Sequence, residues 1–214
     1  MEAGQKKLRI VNGLYLLTGV FITVYQLLRG NVLSAVLGPV SWFFLLIPPL
    51  AKKLLRIKLP FSLHTFVMVF CFLGFGLGTA LDWYERVPFF NAFVHFLSGY
   101  LFTMFGYCFY FRIKREKPSG LKDEWFVQLV FAFCFSMAIA VFWEIGEFAA
   151  FFITGHDSQH TLTTGVFDTM YDIISCVFGS LTAALAHIWY VKKNTNTFVK
   201  RTVEQFYTLN RGEA

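Results

Sequence analysis

Six carboxylates and one histidine, Asp82, Glu85, His95, Glu144, Glu147, Asp168 and Asp172, fall in or beside stretches apolar enough to cross a bilayer. An ionisable group in hydrocarbon costs at least about 2.5 kcal/mol, so each marks a functional site by default. Glu85 lies in a loop and reads as solvated. Carboxylates with one imidazole form a ligand set suited to Mg, Mn or Zn. On that reading Asp82, His95, Glu144, Glu147, Asp168 and Asp172 are the metal ligands, and Glu144, Asp172 and Asp82 carry the chemistry. A divalent cation would hold together acids that cannot all ionise unaided. It would also activate water against a phosphoryl or acyl group. Without an ion, no cofactor is implied. No serine or cysteine nucleophile stands beside a base, which argues against a covalent mechanism. Ser98, Trp143, Tyr171 and Ser175 lie among the acids and are candidates for substrate contact. His156 and His160 could rim the pocket, in a 154–165 loop whose Gly, Ser and Thr content reads as solvated.

The elements that must position these groups are membrane helices. Only 15% of the 214 residues are charged, against about 25% in soluble domains, and 28 are Phe. That leaves no room for a separate soluble domain. Runs of about 20 apolar residues give six spans, near 8–28, 31–50, 61–81, 91–111, 125–153 and 166–191. The fold class is therefore all-α, a polytopic bundle. Residues 1–191 read as one six-helix domain, with the pocket formed by 61–191 and a cytoplasmic tail over 192–214. Lys6, Lys7 and Arg9 precede the first span with no small-x-small site behind it, as in a retained signal anchor. All Lys and Arg except Arg29 and Arg86 lie near the N-terminus, in 51–60, in 112–124 or beyond 191. The positive-inside rule then places both termini in the cytoplasm. The net charge of +6 speaks for topology and anionic lipid at that face, and not for nucleic acid. The stretch from Ala51 to Lys58 reads as interfacial, and the tail from Thr195 as a short amphipathic helix on the inner surface.

Helix geometry brings the polar groups to one depth. At about 1.5 Å per residue, Asp82 stands about 31 Å, His95 about 24 Å, and Glu144 and Asp172 about 27 Å from the cytoplasmic ends of their spans. All four fall in the outer half of a core about 30 Å thick. The faces agree with the depths. Gly74, Gly78 and Asp82 share one face, as do His95, Ser98 and Gly99. Ser136, Ala140, Glu144 and Glu147 share another, as do Asp168, Asp172, Ser175, Gly179 and Ala183. Small residues at this spacing let membrane helices approach closely. The pattern predicts one polar pocket walled by the last four helices.

Cys71, Cys108, Cys134 and Cys176 fall within spans and read as small buried hydrophobes. His64 and His187, near helix ends, read as interfacial. Trp83, Tyr84 and Trp189 read as aromatic-belt anchors.

Three stretches carry a family resemblance. They are Asp82-Trp-Tyr-Glu-Arg-Val-Pro with His95-Phe-Leu-Ser-Gly, then Trp143-Glu-Ile-Gly-Glu147, then Phe167-Asp-Thr-Met-Tyr-Asp172 with Gly179 beyond. In order and spacing they resemble the YjdF-like family of bacterial inner-membrane proteins, which is similar in turn to VanZ-like proteins. The likeness covers about 60–190. Cys176 stands where such proteins commonly carry Asn or Asp. The resemblance implies a multi-pass cell-envelope protein of the inner membrane, VanZ-like members being linked to glycopeptide tolerance, and supplies no mechanism. Three functions fit the pocket. One is a metal-dependent enzyme acting on a lipid head group or a lipid-linked envelope precursor. The second is a proton-coupled transporter or flippase, which at this size would work as a homodimer and for which the halves show no inverted repeat. The third is a non-catalytic envelope protein whose polar cluster only locks helices.

Overall fold

The computed structural model describes residues 2–155 and 157–211. Within them the chain is helical, with six helical spans long and apolar enough to cross a membrane. The described residues form two compact units, one of 2–91 with 208–211 and one of 92–155 with 157–207.

In the first unit α1, Glu2–Leu28, runs unbroken because it holds no proline. It stops at Gly30, whose φ of +77° is a left-handed conformation open to glycine at little cost. The second span is not one helix. It is α2, Val32–Ala35, then α3, Leu37–Ser41, a 3-10 turn over Trp42–Leu46, and α4, Ile47–Leu55. Pro39, Pro48 and Pro49 explain the breaks, since each removes a backbone donor from the ladder. At the crossing of α1 with α3, a Cβ on Gly38 would lie 2.3 Å from the Gly19 carbonyl, so only glycine fits.

The third span starts as α5, Phe61–Cys71, and widens into a π-helix over Phe72–Thr79. There Ala80 N–H donates to the carbonyl five residues back, Phe75, at 2.8 Å. That wider turn breaks the expected stripe of Gly74, Gly78 and Asp82. Asp82 itself is left-handed, φ 57°, and precedes α6, Trp83–Arg86. His64 is a correction to the interfacial reading: it is buried, its Nε2 2.8 Å from Asn12 Oδ1 on α1. A polar partner on the neighbouring helix makes that burial affordable.

The second unit is built on α7, Phe90–Lys114, α8, Trp125–Thr154, and α10, Phe167–Lys193. A 3-10 segment, Pro118–Glu124, joins the first pair, and the turn α9, Thr161–Thr164, joins the second. Three glycine contacts set the spacing. A Cβ on Gly99 would meet the Cys176 carbonyl at 2.1 Å, one on Gly179 the Phe96 carbonyl at 1.9 Å, and one on Gly106 the Ala132 Cα at 2.6 Å. Backbones this close exclude any side chain, as small-residue membrane crossings do.

Polar groups satisfy one another along this seam. The Gly99 carbonyl accepts from Thr103 and Ser136 at 2.8 and 3.0 Å, and the Ser180 hydroxyl lies 3.0 Å from Ser136 Oγ. Further along, His187 is wholly buried and stacked on Tyr107 at 4.0 Å, with Nε2 2.7 Å from Gln128 Oε1. It too is no interfacial histidine. Cys134, by contrast, is exposed and not a core residue. The apolar outer faces, such as Phe142, Phe148 and Phe152 on α8, suit contact with acyl chains. The tail does form a helix, α11, Phe198–Asn210, which buries Val199, Val203 and Phe206 at near-helical spacing.

Candidate functional site

His95 stands near the start of α7, Asp172 near the start of α10, and Glu144 two-thirds of the way along α8. Because the helices alternate in direction, these three points meet at one end of the seam. A His95 nitrogen and one oxygen each from Glu144 and Asp172 lie within 4.8 Å of one another. Glu144 and Asp172 are buried, at 7% and 3% exposure, and His95 nearly so. The His95 Nε2 to Asp172 Oδ2 distance is 3.3 Å. Two ligands of a tetrahedral zinc ion lie about 3.4 Å apart, since each bond is about 2.1 Å.

A small polar network surrounds the His95 ring. The Ser98 hydroxyl donates to the His95 carbonyl at 2.7 Å. Its only proton is then used, so the 3.2 Å contact to Cys176 needs the thiol to donate to Ser98 Oγ. The sulfur lone pairs are left facing His95 Nδ1 at 3.8 Å, where an Nδ1–H can donate. In that tautomer the lone pair of Nε2 points at the Asp172 carboxylate. Such an arrangement needs positive charge between the two atoms, from a proton or a bound cation. In the other tautomer the Cys176 thiol donates to Nδ1 and Nε2–H donates to the Asp172 carboxylate.

Gln159 covers the site from the 155–166 loop. It is buried, and its amide donates to Glu144 Oε2 at 2.9 Å and to the Glu144 carbonyl at 3.1 Å. Asp157 holds the loop in shape by accepting from the backbone N–H of Leu162 at 2.8 Å and Thr161 at 3.0 Å. The Leu162 N–H, then the Thr161 N–H, hold the Asp157 carboxyl below the usual carboxylate range. A depressed folded pKa contributes stability above the ordinary value, about 3.9, and loses it as pH falls through the folded one. The loop should therefore keep slow amide exchange at Thr161 and Leu162 down to about pH 4 and lose it below. Loss beginning near neutrality would contradict this. Beside the loop lies an open cleft of about 410 Å³, walled by Glu144, Ile145, Phe148, Gln159, Thr161, Gly165, Val166 and Thr169. Glu144 is common to cluster and cleft.

The remaining candidates stand further out. Glu147, half-buried, accepts from Trp143 Nε1 at 3.0 Å and shares an electrostatic neighbourhood with Glu144, Asp168 and His160. Asp168 is half-buried and interacts with Glu144. Trp143 and Tyr171 lie on outward faces, 59% and 63% exposed. Ser98 belongs to the His95 network, while Ser175 is half-buried one position before Cys176. His160 begins α9 in a left-handed conformation, φ 50°. His156 lies outside the described residues. Asp82, in the first unit, is more than half exposed and paired with Arg86 at 2.8 Å. It is left out of the ligand set proposed below. Two contributors escape the sequence reading. Gln159 carries no periodic signal. Cys176 sits at i+4 from Asp172 on the same helix face, but cysteine in a span reads as hydrophobe.

A protein of Thermotoga maritima, described as uncharacterized, is 26% identical over 175 residues, covering 82% of this chain and 86% of the relative. No solved structure matches. Residues 8–193 match the family described as predicted membrane protein (DUF2238), and the chain belongs to that family of membrane proteins.

Proposed function

We propose that His95, Glu144 and Asp172 bind a divalent cation, and that the site acts on a lipid head group or lipid-linked envelope precursor. The observation that carries this is the meeting of three ligand atoms, from His95, Glu144 and Asp172, within 4.8 Å of one another, with both carboxylates buried and His95 Nε2 3.3 Å from Asp172 Oδ2. One added proton balances only one of the two acids. A dication balances both, and buried charge needs such pairing. An imidazole among the ligands favours Zn or Mn over Mg, which prefers oxygen. Three protein ligands leave a coordination position for water, the arrangement of catalytic rather than structural zinc. Such an ion supplies a Lewis acid and a water acidic enough to attack an ester. The cleft pairs the apolar walls of Ile145, Phe148 and Val166 with the polar Gln159, Thr161 and Thr169, which suits an amphipathic substrate. Placement in the inner membrane with both termini cytoplasmic, the outward-facing site and the link to VanZ-like envelope proteins belong to this proposal.

Metal content of protein purified without chelator tests it, with titration of Zn, Mn and Mg into the stripped protein. His95→Ala should bind none. Wild type that binds none either would end the metal reading. Cys176→Ala should retain binding with affinity about 10- to 100-fold lower, the usual effect of losing the group that orients a ligating histidine. Unchanged affinity would show that the thiol does not orient His95.

A second reading, proton-coupled transport, draws on the same seam. Polar tiers continue from His95 and Asp172 through Ser136 and Ser180 to Gln128 and His187. Intramembrane acids and histidines serve as proton relays. Proton uptake into vesicles that persists after metal removal would favour this reading.

A further inference from the structure

At the opposite end of α7, α8 and α10 the chemistry is cationic. Lys122, from the Pro118–Glu124 segment, and Lys200, from α11, hold their ammonium groups 5.6 and 5.3 Å from the centroid of one ring, Tyr190. Lys192 stands 4.6 Å over Trp125. Exposed Lys193 and Arg201 flank them. Two acids of these segments have other partners. Glu124 accepts from Tyr110 and Lys114, and Glu204 lies 3.5 Å from the Tyr190 hydroxyl. Among the described residues Lys122, Lys192 and Lys200 make no ion pair with a carboxylate. Lys200 also donates to Asn194 Oδ1 at 3.3 Å, and ammonium groups gathered at one ring favour an anion nearby.

We infer that this shelf binds the phosphate of an anionic phospholipid. The apolar surroundings favour lipid over free phosphate. Phe126 and Val130 on α8, and Leu185 and Trp189 on α10, are exposed within about two turns of the lysines. They offer acyl chains a path along the same two helices that carry the shelf. Tryptophan and tyrosine at this level are the usual interfacial residues, and basic pockets between membrane helices are the usual head-group sites. α11 supplies Lys200 while burying its own apolar stripe, so it serves as a lid that brings charge to the head group.

The test is lipid retention in native mass spectrometry of detergent-purified protein offered equal phosphatidylglycerol and phosphatidylcholine. Wild type should keep phosphatidylglycerol preferentially, and less of it at high salt. The double variant Lys122→Gln/Lys200→Gln should hold it about 25-fold more weakly, at roughly fivefold per lysine. Lys52→Gln/Lys53→Gln, a basic pair in the first unit, should match wild type. Equal retention of both lipids by wild type, or no loss in the Lys122/Lys200 variant, would overturn the inference. So would displacement of the lipid by millimolar inorganic phosphate, which would mark a plain anion site. The His95 cluster takes no part in this experiment, so its outcome is independent of the metal reading.

Discussion

Asp172→Asn should abolish divalent-metal binding and leave the helices in place. The amide keeps the shape of the carboxylate and its capacity to hydrogen-bond, and removes only the charge. Asp172 is 3% exposed and its Oδ2 is 3.3 Å from the imidazole nitrogen that would share the ion. Without metal, the variant should melt at or above the wild-type temperature, because one of two neighbouring buried acids is gone and their repulsion is poorly screened. With metal, the order should invert. An ion at 100 times its dissociation constant stabilises the bound protein by about 2.7 kcal/mol. For a chain of this size that is a rise of about 5–10 °C in Tm. The measurement is Tm of both proteins in chelator and in Zn, Mn and Mg. A wild-type Tm indifferent to all four conditions would sink the metal proposal and leave proton-coupled transport ahead. A variant that still gains the wild-type increment would show that the ion binds elsewhere.

The helical bundle and much of the site are legible in the sequence for a simple reason. Membrane helices must satisfy their backbone internally, so apolar run length alone locates them. The four-residue spacing of Ser136 and Glu144 through Ala140 then names the face of α8 that is buried. What is not legible depends on departures from a 3.6-residue period or on partners distant in sequence. Asp82 loses its place in the stripe because Phe72–Thr79 winds as a π-helix and Asp82 itself turns left-handed. That Cys176 meets His95, where it reads as a plain buried hydrophobe, lies in how closely α7 approaches at Gly99 and Gly179, which is a tertiary fact. Gln159 is read as loop because nothing local marks it. Its partner Glu144 is 15 residues away across a turn. His64 and His187 read as interfacial because Asn12 and Gln128, which make their burial tolerable, lie on other helices.

The same close approach predicts the largest loss of stability from a small substitution. A Cβ on Gly179 would lie 1.9 Å from the Phe96 carbonyl and 2.9 Å from the Tyr100 nitrogen. Both are backbone atoms, so no rotamer change relieves the clash and α7 must move as a body. Overpacking usually costs 1–3 kcal/mol. Gly179→Ala belongs at the upper end, about 3 kcal/mol, or a fall of about 6–12 °C in Tm. Gly146→Ala is the control. Its Cβ meets nothing within 4 Å, so alanine should be neutral or should add up to about 1 kcal/mol from helix propensity. If the two variants melt alike, α7 and α10 are not held at backbone contact. The packing also reaches the chemistry. Cys176 and Asp172 stand on α10 opposite His95 on α7, at 3.8 and 3.3 Å. A helix displaced by an ångström takes both contacts out of range. Gly179→Ala should therefore weaken metal binding although it touches no ligand, while Gly146→Ala, two residues from Glu144 on α8, leaves it unchanged.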